Sequence, residues 1–273
     1  MSKSILRIVK FGGKSLSTPA LVQKAAALLA SDFARGNRVV AVVSAQGGST
    51  DSIVSQLTQL ASSGNSKPQA WDVALSYGER LSAALLHSAL VSADVQSKLY
   101  DPTGGEWPIV SDSHYGSAAV DVERTRLLCR SLVEPCLDYM IPVIPGFVAR
   151  SHEGKITTLG RGGSDVTAFV LARCLEADEI VKVTNVDGFY VGGKKVKESS
   201  VDELRSSCHE FSHGVESRCR SLIAPAALPH LVFPTSLRII SHNSESLDCQ
   251  GSIIYPAKSV AALPQGLAAT RTI

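Results

Sequence analysis

The sequence predicts an α/β sandwich built on a largely parallel sheet. Three observations carry this. Apolar, strand-like segments alternate with helix-spaced ones over the first two thirds of the chain. One of them, Val39–Val43, is apolar without interruption, the mark of a strand buried on both faces. Glycine pairs punctuate the ends of these runs, where a chain must turn sharply.

Ile5–Phe11 is branched and apolar and stops at Gly12-Gly13. Pro19–Phe33 has helical spacing, with Thr18 placed to cap it and Pro19 in the first turn, where no N–H is needed. Gly36-Asn37 turns the chain into Val39–Val43, which is followed by Gly47-Gly48. Asp51–Ala61 reads as a helix, residues 62–68 as a polar loop and Trp71–Leu90 as a long helix. Residues 94–118 are rich in Gly, Pro, Ser and Asp and read as irregular. Val120–Leu132 is expected to be helical. Ile141–Phe147 is strand-like but interrupted by prolines, which places it at a strand end or a sheet edge. Ser164–Leu175 reads as a helix and Glu179–Thr184 as a strand.

The last third is less regular. Residues 192–195 read as a hairpin turn, Ser206–Leu228 as broken helical pieces, and Ser236–Ile240 and Ser252–Tyr255 as strands. Pro264–Ile273 reads as a loosely held tail. The expected organisation is one fold, with an N-terminal lobe over residues 1–178 and a C-terminal lobe over 179–273.

Composition narrows the function. The 273 residues carry 27 Lys plus Arg and 25 Asp plus Glu, a net charge of +2. With 44% apolar and 19% charged residues this is ordinary globular composition, which excludes a disordered tail, a collagen-like chain and a broadly basic nucleic-acid surface. Aromatics are only 5% and no basic-aromatic ladder exists, so no nucleic-acid partner is expected. No apolar run approaches the roughly 20 residues of a membrane span, and no secretory stretch opens the chain. A cytoplasmic protein with no membrane partner is therefore expected, with its six cysteines reduced. Cys208, His209, His213 and Cys219 have soft-ligand chemistry but miss zinc-site spacing, so no metal site is expected.

Three glycine-rich connections carry chemistry: Lys10–Ser15 (KFGGKS), Ser44–Thr50 (SAQGGST) and Gly160–Asp165 (GRGGSD). Glycines bring backbone N–H groups close to an anion, and a following helix N-terminus favours negative charge. Ser15, Ser44, Thr50 and Ser164 add hydroxyl donors, and Lys10 and Arg161 add cations for phosphate oxygens. Three such elements suggest a nucleotide triphosphate beside a second substrate, although any one glycine pair also serves as an ordinary tight turn. Neither the Walker pattern nor a GxGxxG fingerprint is present.

KFGGKS at Lys10–Ser15, VSAQGGSTD at Val43–Asp51, YGERLS at Tyr77–Ser82, TTLGRGGSDVT at Thr157–Thr167 and TNVDGFY at Thr184–Tyr190 resemble, in order and spacing, the motifs of the aspartate kinase catalytic domain of the amino acid kinase superfamily. GSII at Gly251–Ile254 resembles that domain's final strand. The resemblance implies a three-layer α/β/α sandwich around a mainly parallel eight-stranded central sheet. It implies transfer of the ATP γ-phosphate, with Mg²⁺, to the side-chain carboxylate of aspartate, and a possible homodimer. By the same resemblance Lys10 neutralises charge on the transferring phosphoryl group, and Gly12, Gly13, Gly47, Gly48 and Gly163 cradle phosphates. Ser44, Thr50, Glu79, Gly162 and Ser164 place the amino acid, with Glu79 facing its ammonium, and Arg161 grips a carboxylate. Asp165 organises the reacting groups, and Thr184, Asp187 and Lys195 lie by the nucleotide.

The chain departs from this pattern mainly on the nucleotide side. Lys14 and Asn185 stand where the family usually has Thr and Asp. Val191–Lys195 replaces a Thr-x-Asp-Pro-Arg segment, with Lys194 or Lys195 left to stand in for the arginine. Gly214–Arg220 reads GVESRCR where the family has Gly-Ala-Lys-Val-Leu-His-Pro, so Glu216 falls at a lysine position unless Arg218 or Arg220 compensates. Ile273 ends the chain without paired ACT domains, so feedback through such domains is not expected. Two rivals follow: a transferase acting on another small acid, and a non-catalytic partner subunit.

Overall fold

The structure is a computed structural model that describes residues 4–61, 67–191, 194–203 and 222–256. In chain order it contains β1 (Leu6–Phe11), α1 (Pro19–Ala34), β2 (Arg38–Val43), α2 (Ser49–Leu60), α3 (Pro68–Ser92), β3 (Ser97–Leu99), β4 (Val110–Ser111) and α4 (Val122–Leu128). These are followed by β5 (Ile141–Pro145), β6 (Val148–Ser151), β7 (Ile156–Thr158), α5 (Gly163–Leu175), β8 (Glu179–Thr184), β9 (Phe189–Val191), β10 (Lys194–Val196), β11 (Glu198–Ser200), β12 (Ser236–Ser241) and β13 (Ser252–Tyr255).

Eight strands form the central sheet in the order β11-β13-β12-β8-β1-β2-β5-β3, parallel except where β12 meets β13. β1 and β2 are apolar on both faces because helices cover both. Val9, Phe11 and Val181 pack under α1 and α3, whose Leu29, Ala83 and Leu86 join that core. Ile8, Ile180 and Ile239 pack under α5 through Val166, Phe169 and Val170. Thr18 caps α1 as its sequence predicts, its Oγ1 accepting from Leu21 N at 3.3 Å.

One expectation is narrowed and another corrected. Of the two places the prolines allowed, a strand end or a sheet edge, the edge is excluded, because β5 lies between β2 and β3 and Pro145 is its last residue. Its prolines fit because pairing with β2 starts at Val143, past Pro142, and pairing with β3 stops at Val143, short of Pro145. Neither missing N–H removes a ladder bond. The stretch read as irregular, residues 94–118, holds β3, an edge of the main sheet, and β4, which joins β6 and β7 in a small second sheet. Strands of three and two residues are too short to show periodicity. The expected hairpin after β9 forms, with Lys194 opposite Val191. The pieces expected at 206–221, the soft-ligand cluster at 208–219, the segment at 214–220 and the tail at 264–273 lie outside the described residues. Among the described residues no helix is long and apolar enough to cross a membrane.

At the amino end of the parallel strands an ionic network, buried at Arg7, Asp32 and Glu179 and exposed at Arg35 and Asp248, ties layers together. Arg7 pairs with Asp32 of α1 at 2.6 Å, with Glu179 of β8 at 2.9 Å and with Asp248. Arg35 and Arg238 complete it on Asp32, Asp248 and Glu179.

Candidate active site

The opposite, carboxyl end of the strands gathers the glycine-rich turns. β1 leaves the sheet at Gly12, whose N–H donates to Val183 O at 3.0 Å. A Cβ on Gly13 would lie 2.3 Å from the Ala45 carbonyl oxygen, so only glycine lets the two turns touch. Gly47 N then donates to Gly13 O at 3.1 Å and Gln46 Nε2 to Leu16 O at 2.7 Å, which fixes one turn on the other. The third turn enters α5 through Gly162 at φ 77°, and a Cβ there would meet Ala224 at 2.3 Å. In an open α/β sheet, ligands bind outside the carboxyl ends of the strands where the winding direction switches. Here that point is the β1/β8 junction, with β2 and β5 to one side and β12 to the other.

At this junction Lys10 and Lys182 occupy the same rung of neighbouring parallel strands. Side chains paired in register share a face, and these face α5. Asp165, in the first turn of α5, lies between them. Lys10 Nζ is 2.9 Å from its Oδ1 and Lys182 Nζ 2.6 Å from its Oδ2. Ala224 N also donates to Oδ2, at 3.2 Å. The three side-chain-bearing residues are 7%, 6% and 5% exposed. Burial pushes the Asp165 carboxyl up, but Lys10 and Lys182 outweigh it and hold the group well below the usual carboxylate range. Burial, then the like charge of Lys10, lowers Lys182 to about 8, against the pull of Asp165.

Glu79 of α3 is buried beside this centre, and its Oε2 has no hydrogen-bond partner. Gly78 makes the approach possible, since a Cβ there would come within 2.8 Å of Ala45 Cβ. Burial raises Glu79 to about 7, opposed by backbone hydrogen bonding at Ala45 and by the charge of Lys10. Such a carboxylate is suited to a cationic group brought in by a ligand.

The other expected residues divide. Ser44, Thr50, Gly162, Gly163 and Ser164 all lie on the two turns or on the first residues of α2 and α5. Arg161 is exposed and forms no ion pair among the described residues, so a local bridge to Asp165 is excluded. Thr184 ends β8 and its carbonyl accepts from His242 N at 2.6 Å. Asp187 stands on the surface, taking Tyr190 Oη at 2.8 Å and Lys195 Nζ at 3.0 Å. The hydroxyl and ammonium hold its carboxyl below the usual range. Of the two cations expected to stand in for the missing arginine, Lys194 and Lys195, the second is thus already engaged.

Two residues escape sequence reasoning. Lys182 leaves one trace, a lysine inside the otherwise apolar EIVKVT strand. Asp72 of α3 leaves none. It is buried and accepts from Gly116 N (3.0 Å), Thr158 N (2.9 Å) and Thr158 Oγ1 (2.8 Å), clamping the lead-in to the GRGGSD turn onto α3. Burial raises its carboxyl, against those three bonds.

Comparison with known proteins agrees with this architecture. The amino acid kinase family model matches residues 6–226. The chain belongs to the amino acid kinase family. It is 31% identical over 250 residues to an aspartokinase of Rickettsia bellii, an alignment covering 89% of this chain and 59% of that protein. This member of the family therefore spans about three fifths of the length of that relative. Among solved structures, E. coli aspartokinase III in complex with aspartate and ADP superposes with a TM-score of 0.75 at 21% identity, covering 93% of this chain and 65% of that one. Aspartate kinase from Synechocystis gives 0.74 at 26% identity, over 93% and 40%. The expected α/β/α fold with an eight-stranded central sheet is the fold observed.

Proposed function

We propose that this chain transfers the γ-phosphoryl group of ATP to the side-chain carboxylate of aspartate, giving an acyl phosphate. The observation that carries the reading is the pair Lys10–Asp165 beside buried Glu79, whose Oε2 has no hydrogen-bond partner. One half is a cationic centre for phosphate and the other an anionic seat for an ammonium. Residues 1–178 would hold the amino acid and 179–273 the nucleotide, with the protein at work in the cytoplasm.

A carboxylate nucleophile is already ionised, so the reaction needs no strong base. It needs alignment and relief of charge. One acceptor oxygen forms a bond to the γ-phosphorus as the bond to the β-bridging oxygen breaks, and the electron pair stays on ADP. Lys10 neutralises charge on the phosphoryl oxygens, and the N–H groups of the Gly12-Gly13 and Gly47-Gly48 turns cradle the phosphates. Glu79 accepts from the substrate ammonium, Ser44 and Thr50 flank it, and exposed Arg161 takes the α-carboxylate. Mg²⁺, when bound, neutralises phosphate charge and is carried largely by phosphate and water. Among the described residues no cluster of acidic, His or Cys side chains gathers to hold a metal by itself.

The engaged Lys195 and the Asn185 replacement favour one second reading, a kinase or transferase of the same fold with a modified nucleotide site, acting on another small carboxylic acid. Hydroxylamine trapping with Mg²⁺-ATP and a panel of amino acids separates the two. Aspartate-dependent hydroxamate matched by ADP supports the first. Product with another acid alone supports the second, and none with any acid, in folded protein, points to a non-catalytic partner.

A further inference from the structure

We propose that Lys182 is a second catalytic cation of this centre, contacting the nucleotide phosphates alongside Lys10. The inference rests on the phosphotransfer reading and deepens it.

A lysine in that position is costly. β8 is buried from Glu179 to Val183, and an ammonium there loses its hydration. One carboxylate would satisfy one lysine. Here a single Asp165 serves two, and among the described residues neither Lys10 nor Lys182 has another ion-pair partner. Glu79 feels the charge of Lys10 but forms no ion pair with it. From β12 the residue in register with Lys182 is Ile239, which offers no charge. The ensemble of two ammoniums and one carboxylate therefore keeps one formal positive charge, buried where the turns converge. Within the protein alone the second lysine is unfavourable: its affinity for the proton is lowered by burial and by Lys10. Incoming phosphate oxygens reverse that balance, because they bring the missing negative charge and can accept the ammonium donors not used on Asp165.

Among the described residues the other cations near the turns are exposed or engaged: Lys14 is exposed on the first turn. Lys195 is taken by Asp187, and Arg161 is exposed on the rim. The family resemblance points instead to residues 214–220 for a second lysine, where this chain has Glu216, outside the described residues. Lys182 is thus a strand-borne cation at a place no motif marks. It gives up no proton in the reaction. Its charge follows the phosphoryl group from the β-bridging oxygen to the acceptor.

The test uses the full chain with Lys182→Met, which keeps the apolar stem, and Lys182→Gln, which keeps a donor without the charge. Titration calorimetry with Mg²⁺-ATP, in the absence of amino acid, reads binding apart from turnover. Affinity is expected to fall about tenfold or more, and acyl phosphate formation about 100-fold. Aspartate KM should stay within about threefold, and unfolding without nucleotide should occur near the wild-type temperature. If one variant fails to fold, the other carries the comparison. ATP affinity and turnover unchanged in the variants of an active wild type would overturn the role of Lys182 alone. Turnover lost with ATP affinity unchanged would also overturn it, leaving Lys182 a support for Asp165. A wild type that neither binds ATP nor makes acyl phosphate would overturn the kinase reading and this inference with it.

Discussion

β1 and β8 bury charge at both of their ends, and the two ends differ in kind. At the amino end Arg7, Arg35 and Arg238 face Asp32, Glu179 and Asp248, so cations and anions match in number. At the carboxyl end Lys10 and Lys182 face Asp165 alone, and Glu79 keeps an oxygen without a partner nearby. The same strands thus carry a closed network and an open one. A closed network, matched in formal charge although Asp32 Oδ2 has no hydrogen-bond partner, holds layers together. An open one is stable enough to fold but improves when a ligand arrives. Buried ion pairs are weak evidence for stability in general, and the contrast in charge balance, rather than burial itself, marks the site.

The largest effect should come from opening the carboxyl end further. Asp165→Ala leaves two buried ammoniums without their shared partner, and Lys10→Ala removes the cation proposed to lie beside the phosphoryl group. Each should cut turnover about 1,000-fold or more in the hydroxylamine assay, with circular dichroism reporting a folded protein. Turnover near the wild-type rate in either variant would show that the catalytic centre lies elsewhere.

The amino end should break differently. Arg7→Met leaves Asp32 and Glu179 buried with fewer partners, and losing one member of a buried network costs about 3–5 kcal/mol. Denaturant unfolding should report that loss. In protein kept folded at low temperature, KM for ATP and for the amino acid should stay close to wild type. A change in KM without a change in stability would contradict the division between the two ends.

Within the open end, Arg161 and Glu79 should act on the acceptor. Arg161 is exposed, so Arg161→Ala should leave folding alone and raise aspartate KM about 10- to 100-fold. An unchanged KM would remove it from the substrate. Glu79→Gln should raise the same KM about tenfold and flatten its pH dependence. In the wild type Glu79 is ionised above its value of about 7 and protonated below it. Only the ionised form attracts an ammonium, so aspartate KM should climb as pH falls below about 7, by up to about tenfold per unit. A pH-independent KM in the wild type would contradict the ammonium-seat role.

These sites differ in how far the chain announces them. Lys10, Arg161 and Asp165 are legible because each stands within or beside a glycine-bearing turn, and a turn is a local feature; Glu79, inside α3, is legible only through the resemblance of its YGERLS segment. Thr18 and Pro19 announce the start of α1 for the same reason. Lys182 is not legible. Its meaning comes from lying in register with Lys10, and that depends on β8 closing against β1 after six intervening strands. Asp72 is hidden likewise, since its three bonds reach the loop at Gly116 and the strand at Thr158. β5 is left open between a strand end and a sheet edge because prolines are judged by the strand they sit in. What decides is which neighbour each missing N–H would have faced.

The smallest effect concerns the surface beyond β8, and it tests how far the open end extends. Asp187, Tyr190 and Lys195 form a small closed group of their own. By the reasoning that separates the two ends of the sheet, a cation already matched to a carboxylate on an exposed surface has little charge left for a ligand, and exposed pairs contribute about 0–1 kcal/mol. Lys195→Ala should therefore change ATP KM by no more than about threefold and leave the thermal midpoint nearly unmoved. Asp187→Ala would free Lys195, and if that side chain lies within reach of the phosphates ATP KM should fall slightly rather than rise. A tenfold rise in ATP KM for Lys195→Ala would mean that the Asp187 pair opens when nucleotide binds. Charge balance in the free protein would then fail as a guide on this surface, while the buried rung of Lys10 and Lys182, whose imbalance no surface rearrangement relieves, would keep its meaning.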